Sequence, residues 1–212
     1  DDRASGRFKE FRVSPVRDTE MVVGYMVAGL IISLTLSMVV LVVGSVAFGA
    51  MFGTWSTAMG YAKAVAYVAL LCLTFSSLAA LAVTFVRSNG QYSGLATMVG
   101  TLSGFLAFAY IPIGVVSAAV GSILNTLPFA QAAMLLRDPL AGEAMSRMLA
   151  PMSEPGRGEA LDELRQMFGF DTYIGDFRLG SLAVIGILVA IIVICAAAAS
   201  WRIRKLTTHD MR

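Results

Sequence analysis

Long apolar runs separated by short polar ones dominate the chain. Four of them, at 21–50, 62–86, 93–120 and 179–200, reach the roughly 20 residues that a helix needs to cross a bilayer core. They are too long and too continuous for strands, and barrel strands would alternate apolar with polar positions. The pattern predicts an all-α integral membrane fold, a polytopic bundle of four transmembrane helices forming one domain over 1–212. A polar segment at 1–20 precedes the bundle, a tail at 201–212 follows it, and 121–178 separates the last two spans.

The polar intervals have structure of their own. "RSNGQYSG" reads as a tight turn between the second and third spans. Pro112, in "FAYIPIGVV", removes a helical hydrogen bond. It is expected to kink or end the third span near its far end and to redirect the chain into a short re-entrant or surface helix. "NTLPFAQAAMLLRDPL" begins apolar and ends in charge, like a short helix at the membrane surface. "EPGRGEALDELRQMFGF" sets Leu161, Leu164 and Phe168 at i, i+3 and i+7, which predicts a short amphipathic helix after a Pro/Gly break.

Composition agrees with the pattern: 57% of residues are apolar, 14% are charged and the mean hydropathy is +0.75. The net charge of +2 says little, whereas its distribution sets the orientation. Arg3, Arg7, Lys9, Arg12 and Arg17 precede the first span, Arg87 lies in the tight turn, and Arg202, Arg204 and Lys205 follow Trp201, an interfacial anchor. Placing these on the cytoplasmic side closes four spans with both termini cytoplasmic. Segment 121–178 then faces outward, with five arginines against eight acids. Lys63 falls at the outer end of the second span, where a lysine snorkels to the interface.

Candidate chemistry is sparse. The four spans contain no Asp, Glu, His or Arg, which argues against a proton-driven carrier. Ser103 in "GTLSGF" has no base near it, since the one histidine is His209 in the tail. Cys72 and Cys195 lie in apolar runs, and no cluster suits a metal. No catalytic or metal-binding residue is expected, and no nucleic-acid partner. Gly24 with Ala28, and Gly100 with Gly104, have the small-xxx-small spacing of close helix packing. Thr97, Thr101, Phe105 and Phe108 form a stripe that either lines a pathway for an amphipathic or bulky substrate or packs ordinarily, with hydroxyls bonded to their own backbone.

The segment "ASGRFKEFRVSPVRDTEMVVGYM" places Ala4, Phe8 and Phe11 on one helical face, with Arg7, Lys9 and Glu10 around the rest. Asp1 and Asp2 suit the N-terminal end of that helix, and Arg12 its C-terminal end. Ser14 then suits a helix N-cap and Pro15 the first helical position, making a sharp corner before the first span. Two uses fit a short cytoplasmic amphipathic helix there. It lies on lipid with its phenylalanines down, or it docks them in a groove of a cytoplasmic protein.

"SGRFKEFRVSPVRDTEMVVGY" resembles the cytoplasmic loop and following span of type-2 ABC exporter permeases. "GTLSGFLAFAYIPIG" and "LPFAQAAMLLRDPL" resemble that family's fifth span and its outer re-entrant helices. The family has six spans, so the resemblance implies that two more precede Asp1. It implies that Ala4–Phe11 is a coupling helix seated on a separate ATP-binding cassette subunit. Phe8 and Phe11 would be its apolar anchors, and Arg7, Lys9, Glu10 and Arg12 its polar rim. Ser14 and Pro15 would be the rigid corner that passes movement to the first span. The chain holds no glycine-rich phosphate loop, so ATP and Mg would reside on the partner. A second permease subunit would complete a homo- or heterodimer in the cytoplasmic membrane. The alternative is a non-transporting scaffold that recruits a cytoplasmic partner through its N-terminal helix. Fold does not fix cargo.

Overall fold

A computed structural model describes residues 18–86, 88–175 and 177–209. The expected coupling segment (Ala4, Arg7, Phe8, Lys9, Glu10, Phe11, Arg12) and the Ser14–Pro15 corner lie outside the described residues, as does Arg87. Helix α1 spans Asp18–Phe52, α2 Ala58–Val83 and α3 Asn89–Leu106. A single 3-10 turn at Ile113–Val115 leads to α4 (Ala118–Asn125), α5 (Pro128–Met148) and α6 (Gly156–Met167). Strands β1 (Thr172–Ile174) and β2 (Phe177–Leu179) form an antiparallel hairpin ahead of α7 (Ser181–His209).

The chain is a helical, multi-pass membrane protein. Among the described residues, three helices are long and apolar enough to cross a bilayer: Val23–Phe52, Ala58–Val83 and Ser181–Ile203. A fourth crossing is available if α4 and α5, bent by 89° at their junction, act as one broken span. The third span, expected over 93–120 with a kink or end near Pro112, is shorter than that as a continuous helix. Its helix stops at Leu106, and the remainder forms the 3-10 turn and the start of α4. The hairpin was not legible as strands, because three residues per strand are too few for an alternation to register.

Contacts gather the chain into two compact units. The first holds α1 up to Thr35, Leu70–Gly100, and α7 from Ile187 onward. Its core is Met26, Ala199 and Ile203, against which Leu73, Ala80, Leu81, Ile192 and Ala196 pack. Thr74 and Ser77 are fully buried here. Their hydroxyls donate to the Leu70 and Thr74 carbonyls at 2.9 and 2.7 Å, so burial strands no polar hydrogen. Gly29 faces Ser76, whose Oγ lies 3.2 Å from the point a Cβ would occupy.

The second unit holds Leu36–Ala69 and Thr101–Gly186. Gly53, with φ +64°, ends α1 in the left-handed conformation, and Trp55 folds back over Gly49. Ser56 donates to the carbonyl of Pro139, tying the α1–α2 turn to α5. Gly114 lets the 3-10 turn meet the end of α6: a Cβ there would lie 2.8 Å from the Met167 Cα.

Candidate functional site

The segment after α3 is a short, broken, polar-capped assembly, and its organisation follows from how helices end. A helix leaves its last carbonyls without intrahelical donors, and away from water each must find another. Helix α3 ends in a Schellman arrangement. The Ala109 N–H reaches the Gly104 carbonyl at 2.9 Å, and the Phe108 N–H reaches the Phe105 carbonyl at 3.0 Å. Phe108 occupies the left-handed position, φ +53°, usually given to glycine. That conformation costs a non-glycine residue about 1–2 kcal/mol, which burial of the ring (6% exposed) offsets. Pro112 has no N–H to offer the Phe108 carbonyl four residues earlier, so the helix cannot simply continue through this point.

Helix α6 ends the same way. Phe170 N–H bonds the Arg165 carbonyl at 2.9 Å, Gly169 N–H bonds the Gln166 carbonyl at 3.2 Å, and Gly169 has φ +65°. Arg137, half-buried on α5, joins the two caps. Its Nη2 donates to the Ala107 and Phe108 carbonyls at 3.0 and 2.9 Å, and its Nη1 donates to Gly169 at 3.0 Å. The planar guanidinium fork suits three acceptors converging from two segments, which the single ammonium of a lysine does not match.

Gln131, one helical stretch earlier on α5, does the same for α4. It is fully buried, and its Nε2 donates to the Asn125 and Thr126 carbonyls at 3.3 and 3.4 Å, while its Oε1 has no partner. Asn125, 4% exposed, donates onward to the Tyr173 carbonyl at 2.8 Å, and the Gly175 N–H donates to Ser122 Oγ at 3.2 Å. Leu127 is extended and Pro128 starts α5, so the chain turns sharply between α4 and α5. Side chains of α5 thus cap the carbonyl ends of α3, α4 and α6.

An ion-pair cluster closes the other side. Arg165 reaches Asp138 at 2.9 Å and Asp171 at 3.4 Å, Arg178 reaches Asp171 at 2.7 Å, and Arg165 lies 5.4 Å over the Phe170 ring. Burial pulls the Arg165 guanidinium down, but its bonds to Asp138 and Asp171 outweigh that and hold it above its ordinary value. A shallow cavity of about 240 Å³ opens between the 3-10 turn, α4 and the hairpin, bordered by Ser122, Asn125, Gln166, Asp171 and Tyr173. It is smaller than the roughly 300–1,000 Å³ of most ligand sites.

The residues singled out from sequence are distributed unevenly over this arrangement. Thr97, Thr101 and Phe105 are exposed on α3, whereas Phe108 is buried beyond the helix end. Gly24 and Gly100 have open space where a Cβ would stand, and Ala28 is exposed. Gly104 lies under the Tyr110 ring, which meets Phe105 edge-on at 5.0 Å. In the amphipathic helix, Leu161 and Leu164 are half-buried as expected. Phe168 is 42% exposed, and Phe170, past the Gly169 turn, takes the buried place at 4%. Sequence reasoning missed Arg137, Gln131 and Asn125. The one available signal was an arginine directly after the apolar run "LPFAQAAMLL", a charge that needs partners if it is near lipid.

No curated protein and no solved structure matches the chain. The family described as ABC-2 family transporter protein matches residues 3–201. With long apolar helices and a sharply bent helix pair behind that match, the chain belongs to the ABC-2 family and is a membrane permease of an ABC transporter.

Proposed function

We propose that this permease belongs to an exporter and carries its substrate outward across the cytoplasmic membrane, using ATP hydrolysed with Mg on a separate ATP-binding subunit. Both termini of the chain are cytoplasmic in this reading, which takes α3 as the third crossing and α4–α5 as a re-entrant pair that does not cross, and a second permease subunit, identical or different, completes the pathway. The observation that carries it is the extent of the family match. It begins at residue 3 and so takes in the Ala4–Arg12 segment and the Ser14–Pro15 corner together with the spans. Phe8 and Phe11 anchor that segment to the ATPase.

The outward assignment of 121–178 draws support from two features. Its five arginines are spread over the whole segment, whereas five basic residues crowd into residues 1–20 and three into 202–205. It also caps its own broken helices, which lets irregular backbone sit at membrane depth on the exit side. Thr97, Thr101 and Phe105, the exposed members of the α3 stripe, would line the approach to that exit.

The test is an affinity pull-down of the full-length protein from native membranes, assayed for bound ATPase activity, beside the Phe8→Asp/Phe11→Asp variant. Recovery of an ATP-binding subunit that the variant loses is the expected result. An intact membrane complex with no ATPase would remove the engine from the exporter reading.

A further inference from the structure

The β1–β2 hairpin is two-faced. Thr172 pairs with Leu179 at its base, Tyr173 with Arg178 in the middle and Ile174 with Phe177 at its tip. Side chains alternate along a strand, so the base pair and the tip pair share one face and the middle pair the other. At the base that face is core, with Thr172 2% and Leu179 8% exposed. At the tip it emerges as a bare apolar pair, Ile174 37% and Phe177 69% exposed. The middle pair carries the polarity, and Arg178 is neutralised there by Asp171 at 2.7 Å.

What covers this pair follows from how the hairpin is attached. Gly180 alone separates β2 from α7, and the candidate span begins at Ser181 and runs 23 residues. Such a helix is about 35 Å long, only slightly more than the roughly 30 Å hydrocarbon core. Ser181 therefore lies within a few ångströms of the hydrocarbon boundary. Leu182, in the first turn, is 85% exposed. Phe177 is four residues before Ser181, so it stays within about 14 Å of Ser181 even along a fully extended chain. The exposed apolar tip is close in the chain to the exposed apolar start of a span.

We propose that the hairpin tip is a membrane-surface anchor, with Ile174 and Phe177 inserted in the headgroup–acyl boundary of the bilayer beside the start of α7. Aromatic and branched apolar side chains at that depth are how interfacial elements hold a fixed height on lipid. The anchor would keep the α4–α6 assembly at constant height while the spans rearrange. The inference rests on α7 crossing the membrane and not on the direction of transport or the identity of the ATPase.

The experiment uses the full chain in phospholipid nanodiscs, with Cys72 and Cys195 replaced by alanine. An environment-sensitive thiol fluorophore is placed at Phe177→Cys, separately at Ile174→Cys, and at Glu163→Cys on the exposed face of α6 as a reference. Lipids spin-labelled near the headgroup and a water-soluble quencher are compared at each position. Probes at 174 and 177 are expected to emit to the blue of the probe at 163. They should be quenched severalfold more by shallow lipid labels than by the aqueous quencher, with the reverse at 163. Aqueous quenching at 174 and 177 equal to that at 163 would overturn the proposal. So would protection from both quenchers, together with disulfide cross-linking of two unlabelled Phe177→Cys chains through the introduced thiol. That pair of results would show a second copy covering the tip. Thermal unfolding of each labelled variant at the parent's temperature confirms that the fold is intact.

Discussion

Phe108 and Gly169 occupy equivalent positions at two different helix ends, each the left-handed residue just past the last turn, and both present their carbonyl to the guanidinium of Arg137, at 2.9 and 3.0 Å. One side chain therefore terminates α3 and α6 together. Arg137→Ala should leave three carbonyls without their donor. Since each unmet buried polar group costs about 1–3 kcal/mol, a total loss of about 2–4 kcal/mol is expected, some carbonyls being reached by water. Arg137→Lys should recover only a minor part. Thermal unfolding in detergent measures both, and a lysine variant as stable as the parent would contradict the fork geometry.

Phe108 reverses the usual ranking of small residues. In most positions glycine is less stabilising than alanine, but at φ +53° the alanine bears the left-handed strain and glycine does not. Both variants lose the burial of the ring, about 3–5 kcal/mol. Phe108→Gly is nevertheless expected to be more stable than Phe108→Ala by about 1 kcal/mol. Equal or inverted melting temperatures would mean that the residue relaxes out of that conformation.

Two left-handed glycines separate strain from crowding. Gly175, φ +61°, has open space around a notional Cβ, whereas at Gly169, φ +65°, the Cβ would stand 2.6 Å from Arg137 Nη1. Gly175→Ala should cost about 1 kcal/mol, the backbone penalty alone. Gly169→Ala should cost about 2–3 kcal/mol, because overpacking is added to it. Denaturation midpoints of the two variants, measured side by side, decide this.

Arg165 makes two ion pairs of unequal surroundings. Asp138 is exposed, with 59% of its side chain accessible, while Asp171 shows 10%. A double-mutant cycle on Arg165 and Asp138 should return the roughly 0.2–1 kcal/mol typical of surface pairs, in the lower half of that range in physiological salt. The Arg165–Asp171 cycle should be larger, about 1–2 kcal/mol, and should change less between low and high salt. Identical salt dependence in the two cycles would count against the burial argument.

Near the end of α7, Arg202 lies 3.7 Å over the face of Phe85, a cation–π contact. Phe85→Leu keeps an apolar side chain but removes the ring quadrupole, and about 0.5–2 kcal/mol should be lost. In an Arg202→Gln background the same substitution should cost much less. The coupling energy from four melting curves is the readout.

The spans of this protein follow from its sequence alone. Residues 23–52, 58–83 and 181–203 are apolar for longer than any other arrangement can accommodate, and a backbone in lipid must bond within its own segment, so helix is the one solution open to them. The ends of the short helices were partly legible. Pro128 at the first position of α5 and Gly169 just past α6 obey the rules of fixed φ and absent Cβ, although neither was read as a helix boundary from the sequence. Pro112 announced a kink or an end to the third run, because it has no N–H for the Phe108 carbonyl, although the helix stops earlier, at Leu106. What the sequence could not specify was where the stranded carbonyls would go. That depended on Arg137 and Gln131 arriving from another helix, and contacts between segments far apart in the chain leave no periodicity to read. The left-handed Phe108 and the buried Phe170 belong to the same class: local preference argued against the first and was silent on the second, and burial in the assembled unit decided both.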